Sequence, residues 1–319
     1  TLGNELAGRL VDYYLQTLVD NPHYHDKVEF EVVPTCYAFE FEGWRNKLLN
    51  AGFSNIEIDE LRDGLRSITK HAIHRTPDDL QSVAIAKDRF DSIFSSDLPP
   101  LDKALSLLED CRRYGTLVFA HLARSAFVSI TLLRTAVDAK IISKTAMDSF
   151  LNSIETVAHE FINDAKQVAD NKKSWSTYVE RYGHLRPGTY DITSEAYAHN
   201  EEKFLRPLVE QARVNSQESV EKNNHWLNER ESFSEALSEL GIIENADSVE
   251  NFLRGAIEGR EYAKFIFSRN LSAALDLISE YGQTLGLSRE KLANISLGSL
   301  SAIRSGQISS EEAITQLIN

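Results

Sequence analysis

Apolar residues recur every three to four positions through most of this chain, so helix is the predicted state of most of it. From Gly3 to Asp20, the residues Leu6, Leu10, Tyr13, Tyr14, Thr17 and Leu18 gather near one face, and Asn21-Pro22 marks the stop. Ile56 to Ile73 is amphipathic, and Pro77-Asp78-Asp79 predicts the start of a separate helix reaching Phe94. Leu98-Pro99-Pro100 separates that helix from the next, and Gly115-Thr116 opens a strongly apolar helix. Further helices are predicted over Ala146–Ala169, Glu201–Trp226, Phe233–Leu240 and Ser248–Tyr281, with two short ones in the tail around Ser305-Gly306. Only Val28 to Phe41 alternates in the manner of a strand, with Val28, Phe30 and Val32 set against Glu29, Glu31 and Val33 before Pro34 breaks the run. The predicted fold is mostly α, a multi-helix assembly with a small α/β piece at the N-terminus. Residues 1–75 are assigned to that piece, the end of a preceding domain, and 76–319 to a helical central domain.

The 319 residues can bury a sizeable core. With 34 Lys and Arg against 48 Asp and Glu, the formal net charge is −14, which argues against a nucleic-acid partner. A small anion pocket is still compatible with that balance, because it needs only a few local cations. Two cysteines, Cys36 and Cys111, make no disulfide framework and predict a reducing, cytoplasmic setting. No basic-then-apolar leader opens the sequence. The apolar stretch Thr116–Val137 contains His121, Arg124 and Arg134, and is read as a buried core helix with no membrane insertion.

Candidate chemistry centres on Tyr182-Gly183-His184-Leu185-Arg186-Pro187-Gly188-Thr189-Tyr190-Asp191-Ile192. Two glycines and a proline shape a stiff bend between helical patterns, and it carries a planar cation suited to phosphate or carboxylate. His184 is either a donor and proton carrier or a satisfied structural histidine. On the long helix, the series Leu253, Ile257, Phe267, Leu271, Ala274, Ile278 steps by four and three, and the same count lands on Arg260 and Lys264. Two cations on an apolar seam need anionic partners, from internal carboxylates or from a ligand. Arg124, among Leu117, Ala120, Phe127 and Val128, poses the same choice. No phosphate loop, dinucleotide turn or paired-histidine zinc helix is present, and no metal site is predicted.

The loop Tyr182–Ile192 resembles the Tyr-Gly-His-Arg-Gly-type loop of phosphoenolpyruvate-utilising phosphotransferases, the group of phosphoenolpyruvate synthase, pyruvate phosphate dikinase and rifampin phosphotransferase. Arg260-Glu261-Tyr262-Ala263-Lys264-Phe265 resembles the Arg-Glu-x-x-Lys-Phe helix of the same proteins, and the segment Gly286 to Ser296 follows as their segment before the swivelling domain does. His25–Glu31 and Gly115–Arg124 are similar to a bacterial phosphoenolpyruvate synthase-like branch. The resemblance implies catalytic roles for Arg260, Lys264 and His184 at the transferred phosphoryl group, and substrate contacts from Arg186, Arg124 and Tyr190. It also implies a parent enzyme using ATP and Mg, in which an ATP-grasp-like domain phosphorylates a swivelling histidine domain that serves a small-molecule acceptor. The family's Gly-Gly-x-x-Ser-His motif is absent from these residues, so no cofactor is assigned to this chain itself. It is expected to act as the central helical part, inactive alone. The alternative is a non-catalytic helical scaffold for protein partners.

Overall fold

A computed structural model describes residues 2–214, 225–242, 245–309 and 312. Helices dominate, and no strand occurs among the described residues. In chain order they are α1 (Asn4–Asp20), α2 (Phe41–Asn50), α3 (Asn55–Phe94), α4 (Pro100–Asp110), α5 (Leu117–Asp138), α6 (Lys144–Asn152), α7 (Val157–Ala169) and α8 (Trp175–Tyr182). There follow α9 (Glu201–Phe204), α10 (Arg206–Val214), α11 (His225–Glu239), α12 (Ala246–Thr284), α13 (Arg289–Leu292) and α14 (Leu297–Arg304). The tail helix expected beyond Gly306 falls largely outside the described residues, as do residues 215–224 of the single helix expected over Glu201–Trp226. The described first part of that helix is corrected to two helices, α9 and α10, broken at Leu205.

The α/β piece is corrected. Val28–Val32 winds into a single π-helical turn, closed by the Val33 amide donating to the Val28 carbonyl at 2.9 Å, and irregular chain then leads into α2. A lone strand would leave its peptide groups without a ladder partner, whereas one helical turn satisfies them locally. The apolar alternation is used another way: Val32 is buried, and Phe30 sets its edge against Phe127 beneath the Arg134 guanidinium.

The break expected before Pro77 is also corrected, since α3 runs unbroken through that proline. Proline removes one helical donor, a loss that the surrounding turns and packing can absorb. Thr76 returns its hydroxyl to the Ala72 carbonyl at 2.7 Å and meets Ser125 at 3.2 Å, so the turn is held from outside the helix. By contrast, the single helix expected over Ala146–Ala169 is split into α6 and α7. Thr156 caps α7 by accepting from the His159 amide, as an N-cap residue does.

The chain forms two compact units. The first comprises Thr1–Asp78, His121–Ile154 and Glu221–Gly259; the second comprises Asp79–Ala120, Glu155–Val220 and Arg260–Asn319. Each is thus assembled from three chain segments, where the sequence suggested a linear division after residue 75. In the first unit, Leu6 and Leu10 of α1, Trp44 and Leu48 of α2, and Ile58, Leu61 and Leu65 of α3 share a core with Leu132, Leu133, Phe150, Phe233 and Leu253. Residues recurring at three and four positions supply each helix with one such face.

Two apolar clusters of the second unit lie among the described residues. One joins Phe90, Leu101, Leu107, Ala274, Ile278, Leu292 and Leu300. The other joins Ala165 and Val168 of α7, Tyr178 and Tyr182 of α8, and Leu205 and Val209. Helix α4 continues through a π turn, Cys111–Thr116, into α5. There Gly115 lies so close to Phe267 that a Cβ would stand 2.5 Å from the Phe267 Cβ, so only glycine fits. The continuous helix Pro100–Asp138 is long and apolar enough to cross a membrane, and half of its most apolar window is buried within the protein. Cys36 and Cys111 are free and buried, which pushes both thiols up to about 12.

Candidate functional site

The loop after α8 is built from short local hydrogen bonds. Gly183 donates to the Val179 carbonyl at 2.7 Å, and a Cβ there would lie 2.5 Å from that oxygen and 2.8 Å from the Ala198 Cβ. The returning arm pairs with the outgoing one through Tyr197 N to Leu185 O at 2.8 Å and Ala198 N to Gly183 O at 2.9 Å. At the tip, Asp191 accepts from the amide and hydroxyl of Thr193, an Asx turn that also lowers the Asp191 pKa. Tyr190 stands out from this tip, 69% exposed.

Arg186 points the other way. Its side chain is 1% exposed and its donors are spent inside the second unit. Nε donates to Ser272 Oγ at 2.8 Å, Nη1 to the Ser194 carbonyl at 2.5 Å, and Nη2 to the Ser272 carbonyl at 2.9 Å. Nη2 also lies 2.6 Å from the Asp276 carboxylate. Arg289 joins from α13, with Nη1 on the Ile192 carbonyl at 2.9 Å and Nη2 on Asp276 at 3.1 Å. One carboxylate therefore holds two guanidinium groups, and these grip both arms of the loop against α12. The planar fork expected to meet a substrate anion instead meets an internal one. Sequence reading missed Ser272 and Asp276. The available signal was a polar line at four-residue spacing, Ser268, Ser272, Asp276, set among the apolar residues Phe267, Leu271, Ala274 and Leu275.

His184 is a buried partner of the same helix. Its Nε2 lies 3.2 Å from the Phe265 carbonyl and its ring meets Phe265 edge-on at 4.7 Å. Burial pushes its pKa down to about 4; the Phe265 carbonyl opposes this, and the charges of Arg269 and Arg186 add to it. At neutral pH the ring is uncharged and donates to a backbone carbonyl, which is a structural histidine. Beside it, Tyr182 donates to buried Asp164 at 3.0 Å, and Lys173 pairs with the same carboxylate.

Arg260 and Lys264 are exposed on α12, one turn apart. The buried line of the helix runs instead through Leu253, Ala256, Gly259, Ala263, Ile266, Phe267 and Asn270. The count of fours and threes was shifted onto the neighbouring face because α12 is apolar on more than one side. Arg260 has Glu261 within 3.7 Å, with both side chains more than a third exposed. At about 1.5 Å of rise per residue, Ser272 lies roughly 12 Å beyond Lys264 and roughly 18 Å beyond Arg260 along the axis. These cations do not converge with Arg186. Arg124 belongs to the first unit and is exposed on α5, so of its two alternatives the carboxylate partner inside the bundle is corrected. The long side chain leaves an apolar helix at its solvent edge.

Among the described residues, no three His, Cys, Asp or Glu side chains gather as a metal site would require. Comparison with known proteins finds no matching family model, no similar curated protein and no similar solved structure.

Proposed function

We propose that this chain is a helical positioning module of a phosphoenolpyruvate synthase-like phosphotransferase, presenting an acceptor or a phosphohistidine-bearing domain, with no catalysis of its own. The observation that carries the non-catalytic part is the Arg186 clamp. A loop that stabilises a transferring phosphoryl group needs donors directed at the developing charge. Here the loop's guanidinium is spent on Ser272, Ser194 and Asp276, and its histidine is neutral and buried. What the loop offers outward is a braced surface around Tyr190. The order of the three motifs supports the phosphotransferase class, with ATP and Mg belonging to the partner domains. The two free, buried thiols favour a cytoplasmic setting.

The test is an assay of the purified chain with ATP, Mg and pyruvate, followed for phosphoenolpyruvate and released phosphate. No turnover above the blank is expected. Turnover that disappears in Lys264→Ala or His184→Gln would overturn the proposal. The class of enzyme is tested separately by supplying a phosphohistidine domain of the family in trans, which should bind the chain and lose affinity on Tyr190→Ala.

A second reading, a protein-interaction scaffold, is favoured by one observation. Val11, Leu15 and Val19 of α1 form an apolar line at four-residue spacing that is 53%, 58% and 70% exposed. Binding of the phosphohistidine domain that is insensitive to Tyr190→Ala but lost on Leu15→Glu would favour the scaffold.

A further inference from the structure

We infer that a cation-lined cleft in the second unit binds a compact polyanion of the phosphate-ester or pyrophosphate class. The cleft has a volume of about 430 Å³ and forms where the end of α7, the turn into α8 and one face of α10 meet. Buried Val168 and Val209 floor it, and Lys172, Lys173, Arg206 and Arg213 stand around it. The described lining residues include four cations and no carboxylate, in a protein whose acidic residues outnumber its basic ones by 48 to 34. Carboxylates outside the lining pair with three of the four, Asp164 with Lys173, Asp170 with Lys172 and Glu202 with Arg206. The preference for anions therefore comes from the donors presented at the cleft and not from an excess of positive charge.

The cations are held in two ways. Lys172 and Lys173 leave from a fixed turn, in which both amides donate to the Gln167 carbonyl, at 2.8 and 3.2 Å, and Asn171 takes the left-handed conformation at φ 57°. Lys173 is braced from behind by buried Asp164. Arg206 lies over the Trp175 ring at 4.3 Å and is backed by Glu202 at 2.8 Å, while Trp175 itself donates to Glu201 at 2.6 Å. Lys173 and Arg206 are therefore preorganised. Lys172 is only loosely engaged, with solvent-facing Asp170 at 3.1 Å, and Arg213 is exposed. An exposed pair of that kind contributes little and yields readily to a more highly charged ligand.

The end of α7 would oppose an anion if its last carbonyls were bare. Three of the last four are covered: Asp170 N meets Lys166 O at 2.9 Å, Asn171 N meets Val168 O at 3.0 Å, and Lys172 N meets Gln167 O at 2.8 Å. At the other side Ser174 caps the start of α8, whose dipole adds positive potential at the cleft. The volume exceeds what a single inorganic phosphate fills and lies within the range of small-ligand sites. Four cations around it match a ligand with two or more charges better than a monocarboxylate.

This inference rests on the cleft alone and is independent of the phosphotransferase proposal. Calorimetric titration of the full chain with pyrophosphate, at neutral pH and low salt, should show one site. Replacing Lys172→Ala and Arg213→Ala together should weaken binding by at least about tenfold, since each removes a charge-assisted contact. Both side chains are exposed, so the fold should survive, and an unchanged circular dichroism melt would confirm it. Lys264→Ala, outside the cleft, should leave the affinity unchanged, and acetate should bind at least about tenfold more weakly than pyrophosphate. Absence of binding at about 5 mM pyrophosphate, or binding that the paired substitutions leave intact, would overturn the inference.

Discussion

Arg186 and Lys172 lie fourteen residues apart, in the same unit, and do opposite things with a positive charge. Arg186 belongs to a stretch rich in glycine, proline and aromatic residues, and its donors are taken up in a closed network with Ser194, Ser272 and Asp276, the last shared with Arg289. Lys172 belongs to a plain polar connector and lines a cleft, with exposed Asp170 as its partner at 3.1 Å. A conspicuous loop composition reports a conformation that is hard to build. It does not report where a side chain's charge is directed. Burial costs an unpaired guanidinium so much that a buried arginine either finds a carboxylate or does not stay buried. The cations left for a ligand are accordingly found at the rim of the fold, on turns and exposed helix faces.

Four measurements would break or sharpen that contrast. The largest effect is expected from Arg186→Met, which removes the side-chain donor to the Ser194 and Ser272 carbonyls and leaves Asp276 with Arg289 and, at 3.7 Å, His199. A loss of about 3–5 kcal/mol in denaturant unfolding is expected. Arg186→Lys should recover less than half of it, because an ammonium cannot reach three partners in one plane. A loss below about 1 kcal/mol would mean that the clamp is not what holds the loop.

Acid should act on the same region through His184. Its folded pKa, about 4, lies below the free imidazole value of about 6.5, so between those values the unfolded chain takes up a proton that the folded chain refuses. Stability contributed by the neutral ring is complete above pH 6.5 or so, falls as pH drops toward 4, and levels off below that; the full loss is about 3 kcal/mol. His184→Gln should remove this component, flattening the dependence relative to the parent protein. Parallel curves for the two proteins would show that His184 titrates normally.

Gly183→Ala comes next. The added Cβ would press on the Val179 carbonyl and Ala198, both fixed parts of the loop, and a loss of about 1–3 kcal/mol is expected from the forced backbone shift. Thermal unfolding monitored alongside proteolysis of the loop would test it; unchanged stability would mean that the two arms separate freely. The smallest effect is expected from Arg260→Ala and Lys264→Ala, each within about 0.5 kcal/mol in the same unfolding assay. A loss above about 2 kcal/mol for either would place it in a network like that of Arg186.

The helical class was legible because it is local: periods of three and four residues run through α1, α3 and α12, and they appear in any window of the sequence. The loop at Tyr182–Ile192 was legible for the same reason, since glycine and proline act on their own backbone. Val28–Val32 was misread because five alternating residues suit a strand only if another strand lies beside them, and the fold provides none among the described residues. Likewise Pro77 is a break signal only where no neighbour steadies the turn, and Thr76 and Ser125 do so.

What only tertiary structure decided was direction. Helix α12 is apolar on more than one side, so its pattern permits either seam, and packing against Gly115 through Phe267 selects the one that leaves Arg260 and Lys264 outside. The partner of Arg186 lies ninety residues further on, at Asp276, and the cleft joins a connector at 171–174 to a helix face at 206–213. Periodicity and turn chemistry are properties of neighbours along the chain. Charge pairing and cavities depend on which distant segments are brought within a few ångströms, and no local pattern carries that information.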